Sequence, residues 1–392
     1  MAGSVLVATP ARALWDDALT LFAEEKITRD DNIFRISRDV DPAVAIGSAS
    51  KSDTYRTLTL GLRLDSQVSL QRLVLEYAYH NDRYARFTDL DFAGHDARAV
   101  WSWRLRSDAS GQLGYEESLA LASFANIQAR APDHLRLRRT FFNGTVLATP
   151  RWRVQGGIAG LEQANSDPAR QINDVRIADA NLALSYVTPA DNSLGIGVRA
   201  EEGRLPNQEL VSGSLFANAY RQRGVGLVGE WTPTGASRLS ARADRLSRRY
   251  EELPQRDFDG NTLRVQYDWK PSAKLALAAV AQKDISAYED IRSSFVLLKG
   301  FTLRAVLKAS EMVEVSGTLE HGIRDYLGDP GLAFAVAPAR SDRVRSATLN
   351  LSYRPSRNVT LQASAQHEAR SSNVQLADYG VNVVFVSLRI AL

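Results

Sequence analysis

Along most of this chain, apolar and polar residues exchange at every step. In 262–270, Leu263, Val265, Tyr267 and Trp269 alternate with Thr262, Arg264, Gln266 and Asp268. In 346–353, Ala347, Leu349, Leu351 and Tyr353 alternate with Ser346, Thr348, Asn350 and Ser352. In 97–106, Ala97, Ala99, Trp101, Trp103 and Leu105 oppose Arg98, Ser102, Arg104 and Arg106. Segments 58–64, 73–79, 194–200, 313–324, 359–370 and 382–392 behave alike. Successive side chains of a strand point to opposite faces, so a period of two marks a sheet with one apolar and one polar side. No segment holds a helical period of 3.6 over ten residues. The expected class is all-β.

Turns punctuate the alternation. Thr149-Pro150, Thr188-Pro189, Thr232-Pro233, Lys270-Pro271 and Arg354-Pro355 follow one another at 39, 44, 38 and 84 residues, and Lys308-Ala309-Ser310-Glu311 divides the last gap. Proline presets φ for a tight turn and offers no N–H to a ladder, so it belongs at such points. One hairpin with its two connections fits the repeat. The segments fall near 19–28, 53–65, 71–84, 94–106, 110–122, 135–148, 151–163, 175–188, 193–204, 218–232, 237–250, 258–270, 274–288, 293–308, 312–326, 342–354, 357–370 and 379–392. The register is least determined in 135–148 and 237–250, where Arg139 and Arg245 interrupt the apolar face.

Short connections alternate with longer polar ones at 29–52, 123–134, 164–174, 205–217 and 327–341. Short turns at one end and long loops at the other are the asymmetry of outer-membrane barrels, and an even strand count puts both termini at the turn end. Trp101, Trp103, Trp231, Tyr267, Trp269 and Tyr353 cluster near that end on the apolar face, where an interfacial girdle sits. A soluble sandwich has no reason to do this, nor to repeat strands far longer than the usual length of about five or six residues. The expectation is a closed antiparallel transmembrane β-barrel of about 18 strands, porin-like, in the cell outer membrane of a Gram-negative organism. Lipids and lipopolysaccharide are then its surroundings. Residues 1–13, with Val5-Leu6-Val7-Ala8 before Ala11-Arg12-Ala13, read as a trimmed export leader, and 14–392 as a single barrel domain.

Composition narrows the chemistry. Without cysteine there is no disulfide, Cys-ligated metal or thiol nucleophile. A net charge of +3, from 48 basic and 45 acidic residues, is too even for a nucleic-acid backbone binder. Seven of the 48 basic residues are lysine and the rest arginine, whose rigid fork of donors suits carboxylates and sugar hydroxyls. Histidines 80, 95, 134, 321 and 367 lie too far apart in sequence for a metal motif. Gly224-Val225-Gly226-Leu227-Val228-Gly229 fits a dinucleotide fingerprint, but it runs within a strand, with no helix to hold a pyrophosphate. No catalytic residue and no cofactor is expected.

The polar face remains. It carries Arg63, Arg98, Arg104, Arg153, Arg199, Arg242, Arg264, Arg304, Arg324 and Arg370, with Asp268, Glu314, Glu320 and Glu368 among its acids. These are the candidate pore-lining residues. Nearly equal numbers of each sign suit cross-strand ion pairs more than a single-sign field.

Arg29-Asp-Asp-Asn-Ile-Phe-Arg35, Thr88-Asp-Leu-Asp-Phe-Ala-Gly-His-Asp-Ala-Arg98, Ser123-Phe-Ala-Asn-Ile-Gln128, Asp167-Pro-Ala-Arg-Gln-Ile-Asn173, Arg256-Asp-Phe-Asp-Gly260 and Tyr326-Leu-Gly-Asp-Pro-Gly331 occur in that order. Together they resemble the EpsL-type outer-membrane proteins of exosortase-associated exopolysaccharide loci, over nearly the whole chain. The resemblance implies passive export of a secreted polysaccharide with periplasmic export proteins as partners, and it supplies no catalytic residues. Two alternatives stand beside it: a general or sugar-selective diffusion porin, and an outer-membrane enzyme that modifies polysaccharide. The enzyme would need paired lumen carboxylates or an activated nucleophile.

Overall fold

The computed structural model describes residues 18–125, 128–211, 213–286, 295–327 and 339–392. The expected leader lies outside them. Among the described residues, eighteen strands form one antiparallel sheet that closes on itself. They are β1 (Leu19–Asp30), β2 (Asp53–Val68), β3 (Gln71–Tyr84), β4 (Phe92–Leu105), β5 (Ala109–Leu121), β6 (His134–Thr149), β7 (Trp152–Asn165), β8 (Val175–Val187) and β9 (Ser193–Arg204). There follow β10 (Tyr220–Thr234), β11 (Ser237–Tyr250), β12 (Phe258–Trp269), β13 (Leu275–Ser286), β14 (Phe295–Lys308), β15 (Val313–Leu327), β16 (Ser341–Tyr353), β17 (Val359–Ser372) and β18 (Tyr379–Ala391). Each strand pairs with its neighbours in sequence, and β1 closes on β18 with Phe22 opposite Ala391 and Asp30 opposite Val383.

Closure leaves no sheet edge, which a sheet crossing lipid cannot afford. All the short turns and both ends of the sheet lie at one rim, where Leu392 N–H donates to the Leu21 carbonyl at 2.8 Å. The long connections lie at the other rim, including 31–52, 122–133, 166–174 and 205–219. Most of the connection expected at 327–341 lies outside the described residues. In barrels of this kind the turns are periplasmic and the loops extracellular.

The outer face is apolar and bare: Leu60, Leu62, Ile196, Leu227, Leu349 and Val386 are all exposed. Trp101, Trp231, Tyr267, Trp269 and Tyr353 stand outward near the turn rim, joined by Trp152 and Tyr186. Such a surface is at rest only in hydrocarbon, with its aromatics at the interface.

Cross-strand register explains several inward aromatics. Phe22 sits opposite Gly61, and Phe141 opposite Gly114. A Cβ on Gly61 would meet the Phe22 ring at 2.2 Å, and one on Gly114 the Phe141 ring at 2.3 Å. Each ring lies flat over its partner glycine, which frees the lumen of a protruding side chain.

The register at β6 and β11 is now fixed. Arg139 points inward, 3.4 Å from Glu116, and its guanidinium lies 4.5 Å from the Phe141 ring centre. Its neighbours Arg136 and Arg138 point outward toward Glu117. Arg245 is outward, donating to Asn261 at 3.3 Å.

Candidate functional site: the inner wall and its loop cap

The inner face is identified by contacts that skip strands. Arg153 on β7 reaches Glu230 on β10 at 3.2 Å. Arg199 on β9 donates to Thr262 on β12 at 2.9 Å and lies 3.6 Å from Asp284 on β13. Such chords can run only through the interior. Alternation and register carry the same face around the sheet.

All fourteen sequence-selected residues lie on that face, and most sit in pairs. Arg63 bonds Glu76 and Asp65, both at 3.1 Å, and Arg72 also holds Asp65. Arg98 lies 3.4 Å from Glu116. Arg153 also bonds Asp191 at 2.8 Å. Arg242 donates to Asp244 at 2.8 Å, and Arg199 lies 3.6 Å from the same carboxylate. Asp268 accepts from Gln266 at 2.9 Å, and Glu320 from Ser346 at 3.3 Å. Glu314 stands opposite Lys308 and Ser352, and Arg324 opposite Asp342. Glu368 accepts from the Tyr379 hydroxyl.

Four arginines differ. Arg104, Arg304 and Arg324 have no ion-pair partner among the described residues, and Arg264 has only the neutral Gln282, at 2.7 Å. Arg264 also stands directly opposite Arg242. These two line a cavity of about 140 Å³ with Gln155, Ser193, Glu230 and Ser240.

At the loop rim the site includes a feature that the alternation does not announce. Ile33, Phe34, Ile36, Ile46, Phe87, Leu90 and Phe124, from three separate loops, form one buried apolar cluster. Phe34 meets Phe87 and Phe124 edge-on, with ring centres 4.9 and 4.8 Å apart. Hydrogen bonds fix the loops that carry it. Buried Asn32 donates to the carbonyls of Ile36 at 2.9 Å and Gly380 at 3.0 Å. The Asp53 carboxylate accepts from Arg86 and Phe87 N–H groups. Ser37 donates to Asp378 at 3.0 Å, which joins the first loop to the last. Ile33, Arg35 and Phe124 line a cavity of about 490 Å³ together with inward Thr57, Thr59, His80, Asp82 and Asp96. The cluster therefore caps the lumen over β1–β5. Its sequence signal is faint: apolar residues that follow no period, with one phenylalanine in each of the three loops.

Arg130 clasps this cap, donating to Asp89 at 2.8 Å and to the Ile46 carbonyl at 3.3 Å. The hydrogen bond from Arg130 holds the Asp89 carboxyl below its usual range. A carboxyl depressed by folding supports the fold above its ordinary value of about 3.9 and loses that support as pH falls through its lowered value. Below about pH 4, exchange protection of the 128–131 amides, corrected for intrinsic rate, should therefore drop in the native chain. In Asp89→Asn it should already be low at pH 7 and change little on acidification. Equal protection in both proteins at pH 7 would show that the clasp does not hold the cap.

A closed antiparallel barrel with an apolar belt, an aromatic girdle and a polar interior defines the class. The chain is a porin-like β-barrel of the Gram-negative outer membrane. The family model described as "Putative beta-barrel porin 2" matches residues 246–392, β12 to β18 and the end of β11. No curated protein matches the sequence. Among solved structures, Pseudomonas aeruginosa OpdK with vanillate is similar at a TM-score of 0.50 and 11% identity, covering 96% of this chain and 100% of that one. OccK2 (OpdF) of the same organism is similar at 0.50 and 13%, covering 97% and 99%. At these identities the likeness is one of fold.

Proposed function

We propose that the barrel is a passive conduit by which a secreted polysaccharide leaves the cell, delivered by periplasmic export proteins. The cargo class follows from the resemblance to EpsL-type proteins. The observation that supports it is the inner wall, where arginines and carboxylates form cross-strand pairs from Arg63–Glu76 to Arg153–Glu230. Such a wall is dense in donors and acceptors while its charges largely cancel. A polyhydroxylated chain can exchange hydrogen bonds along it without being held by a strong field. No chemical step is required, and the pore-lining role of the fourteen residues belongs to this reading.

A second reading, a diffusion porin for small polar solutes, is favoured by the chords from Arg199 to Thr262 and Asp284. They narrow the lumen between β9 and β13, and a polymer would have to displace them.

The combined Arg104→Gln, Arg264→Gln and Arg304→Gln variant tests the conduit. These side chains lack carboxylate partners, so their loss leaves no buried acid behind, and a wet wall should tolerate glutamine. For an acidic polymer, secreted polysaccharide should fall severalfold with barrel abundance in the outer membrane unchanged. Normal export at normal abundance would mean that these arginines play no part in transit. A deletion strain that secretes normally but loses uptake of small solutes would select the diffusion porin.

A further inference from the structure

The lipid face is not uniform along its height. Near the turn rim it carries aromatics, whereas near the loop rim it carries charge. Most of those charges are paired with one another: Arg138 with Glu117 at 3.4 Å, Arg176 with Glu162 at 3.1 Å, Arg204 with Glu202 at 2.8 Å and Lys299 with Asp325 at 2.8 Å. Arg56 on β2 and Arg223 on β10 have no ion-pair or hydrogen-bond partner among the described residues, and neither have Arg343 and Arg345, which are exposed at successive outward positions of β16. The outward neighbours of Arg343 and Arg345 across the ladder are Ile323, His321, Ala369 and Ser371, none of them acidic.

Immediately turnward of this pair the same face is indented. An open groove of about 540 Å³ is lined by Leu303, Gly317, Leu319, Leu349, Ala365 and Val384 across β14–β18. Its loopward lining includes Ala347, the next outward residue after Arg345 on β16, and His367, whose Nδ1 lies 2.8 Å from Asn382 Oδ1. An unpaired guanidinium facing lipid is tolerated only near the headgroup layer, and there it attracts an anion. The groove below offers apolar area to a hydrocarbon chain.

We propose that Arg343, Arg345 and this groove bind one phosphorylated, acylated lipid of the outer leaflet. The phosphate sits on the two guanidinium groups and one acyl chain lies in the groove. Charge complementarity selects this occupant over a zwitterionic lipid, and the contiguity of charge and groove selects a lipid over free phosphate. The site stands apart from the lumen and does not depend on the cargo.

The test is native mass spectrometry of the detergent-purified barrel titrated with bis-phosphorylated lipid A. The native chain should hold one lipid tightly. Arg343→Gln/Arg345→Gln should weaken it about tenfold per lost charge-assisted contact. Ala365→Trp, which fills the groove, should weaken it as well. Arg204→Gln, at a paired position, should leave it unchanged, and Arg343→Lys/Arg345→Lys should retain most of it. Heat-modifiable migration verifies that each variant is closed. Undiminished binding by the closed double glutamine variant would overturn the site, as would equal binding of dephosphorylated lipid A. A dimer that Ala365→Trp abolishes would assign the groove to a second copy of the chain and overturn it too.

Discussion

Replacing Phe34 by alanine should open the loop cap while leaving the barrel closed. The ring is fully buried between Phe87 and Phe124. Truncating such a phenylalanine removes about 3–5 kcal/mol of packing. Phe34 is the ring common to both aromatic contacts of a cluster whose other members are Ile33, Ile36, Ile46 and Leu90, and the remaining ties of the cap are hydrogen bonds and the Arg130 clasp. The ladders of β1–β5 do not pass through the cluster, so heat-modifiable migration should persist. Protease added to intact cells should then cut within 31–52 in the variant and spare it in the native chain, and single-channel currents should rise or become noisy. Phe34→Leu should fall between the two. A Phe34→Ala barrel with native protease resistance and native currents would refute the cap.

A comparable loss is expected at Asp342, whose side chain is 0% exposed and lies 2.7 Å from Arg340. It also lies 3.9 Å from Arg370, itself 1% exposed. Arg370 donates through Nε to the Ala377 carbonyl at 2.7 Å and lies over the Tyr379 ring, but its two terminal nitrogens have no hydrogen-bond partner. Asp342 is therefore the nearby carboxylate that compensates a buried guanidinium. Breaking such a pair from one side destabilises by about 3–5 kcal/mol, whereas replacing both members is far milder. Asp342→Asn should lower the unfolding midpoint of the detergent-solubilised barrel substantially, and Asp342→Asn/Arg370→Met should recover most of the loss. Equal destabilisation by the single and double variants would show that packing, not charge, is what Asp342 supplies.

What the sequence made legible depended on which surroundings a strand meets. In the turnward parts of β12 and β16, 263–269 and 347–353, the apolar residues face hydrocarbon and the polar ones face the lumen, so alternation alone assigns both faces. β6 resists that reading because it meets different surroundings along its length. Near the loop rim its outward residues, Arg136 and Arg138, have left the hydrocarbon and pair with Glu117, while inward Phe141 covers Gly114. Parity is conserved there and polarity is exchanged. The arginine-rich inner face was readable for the same reason as β12. The cap was not: Phe34, Phe87 and Phe124 sit in loops without a period, and only three-dimensional packing unites them. Nor could sequence identify which arginines lack partners, since Arg104 and Arg63 look alike until register separates them.

The seam between β1 and β18 has a kinetic meaning. It joins the first and last strands of the sheet, so it is the contact with the largest separation along the chain, whereas the other strand pairs are formed by neighbours in sequence. The entropy of bringing such distant segments together grows only logarithmically with the length between them, yet it must be met before any bond of the seam forms. Hairpins can zip one after another as an open, curling ribbon whose two free borders remain reactive toward other chains. Cyclisation of that ribbon is thus the step at which misassembly competes with folding. The register from Phe22–Ala391 to Asp30–Val383 is what makes the final annealing specific.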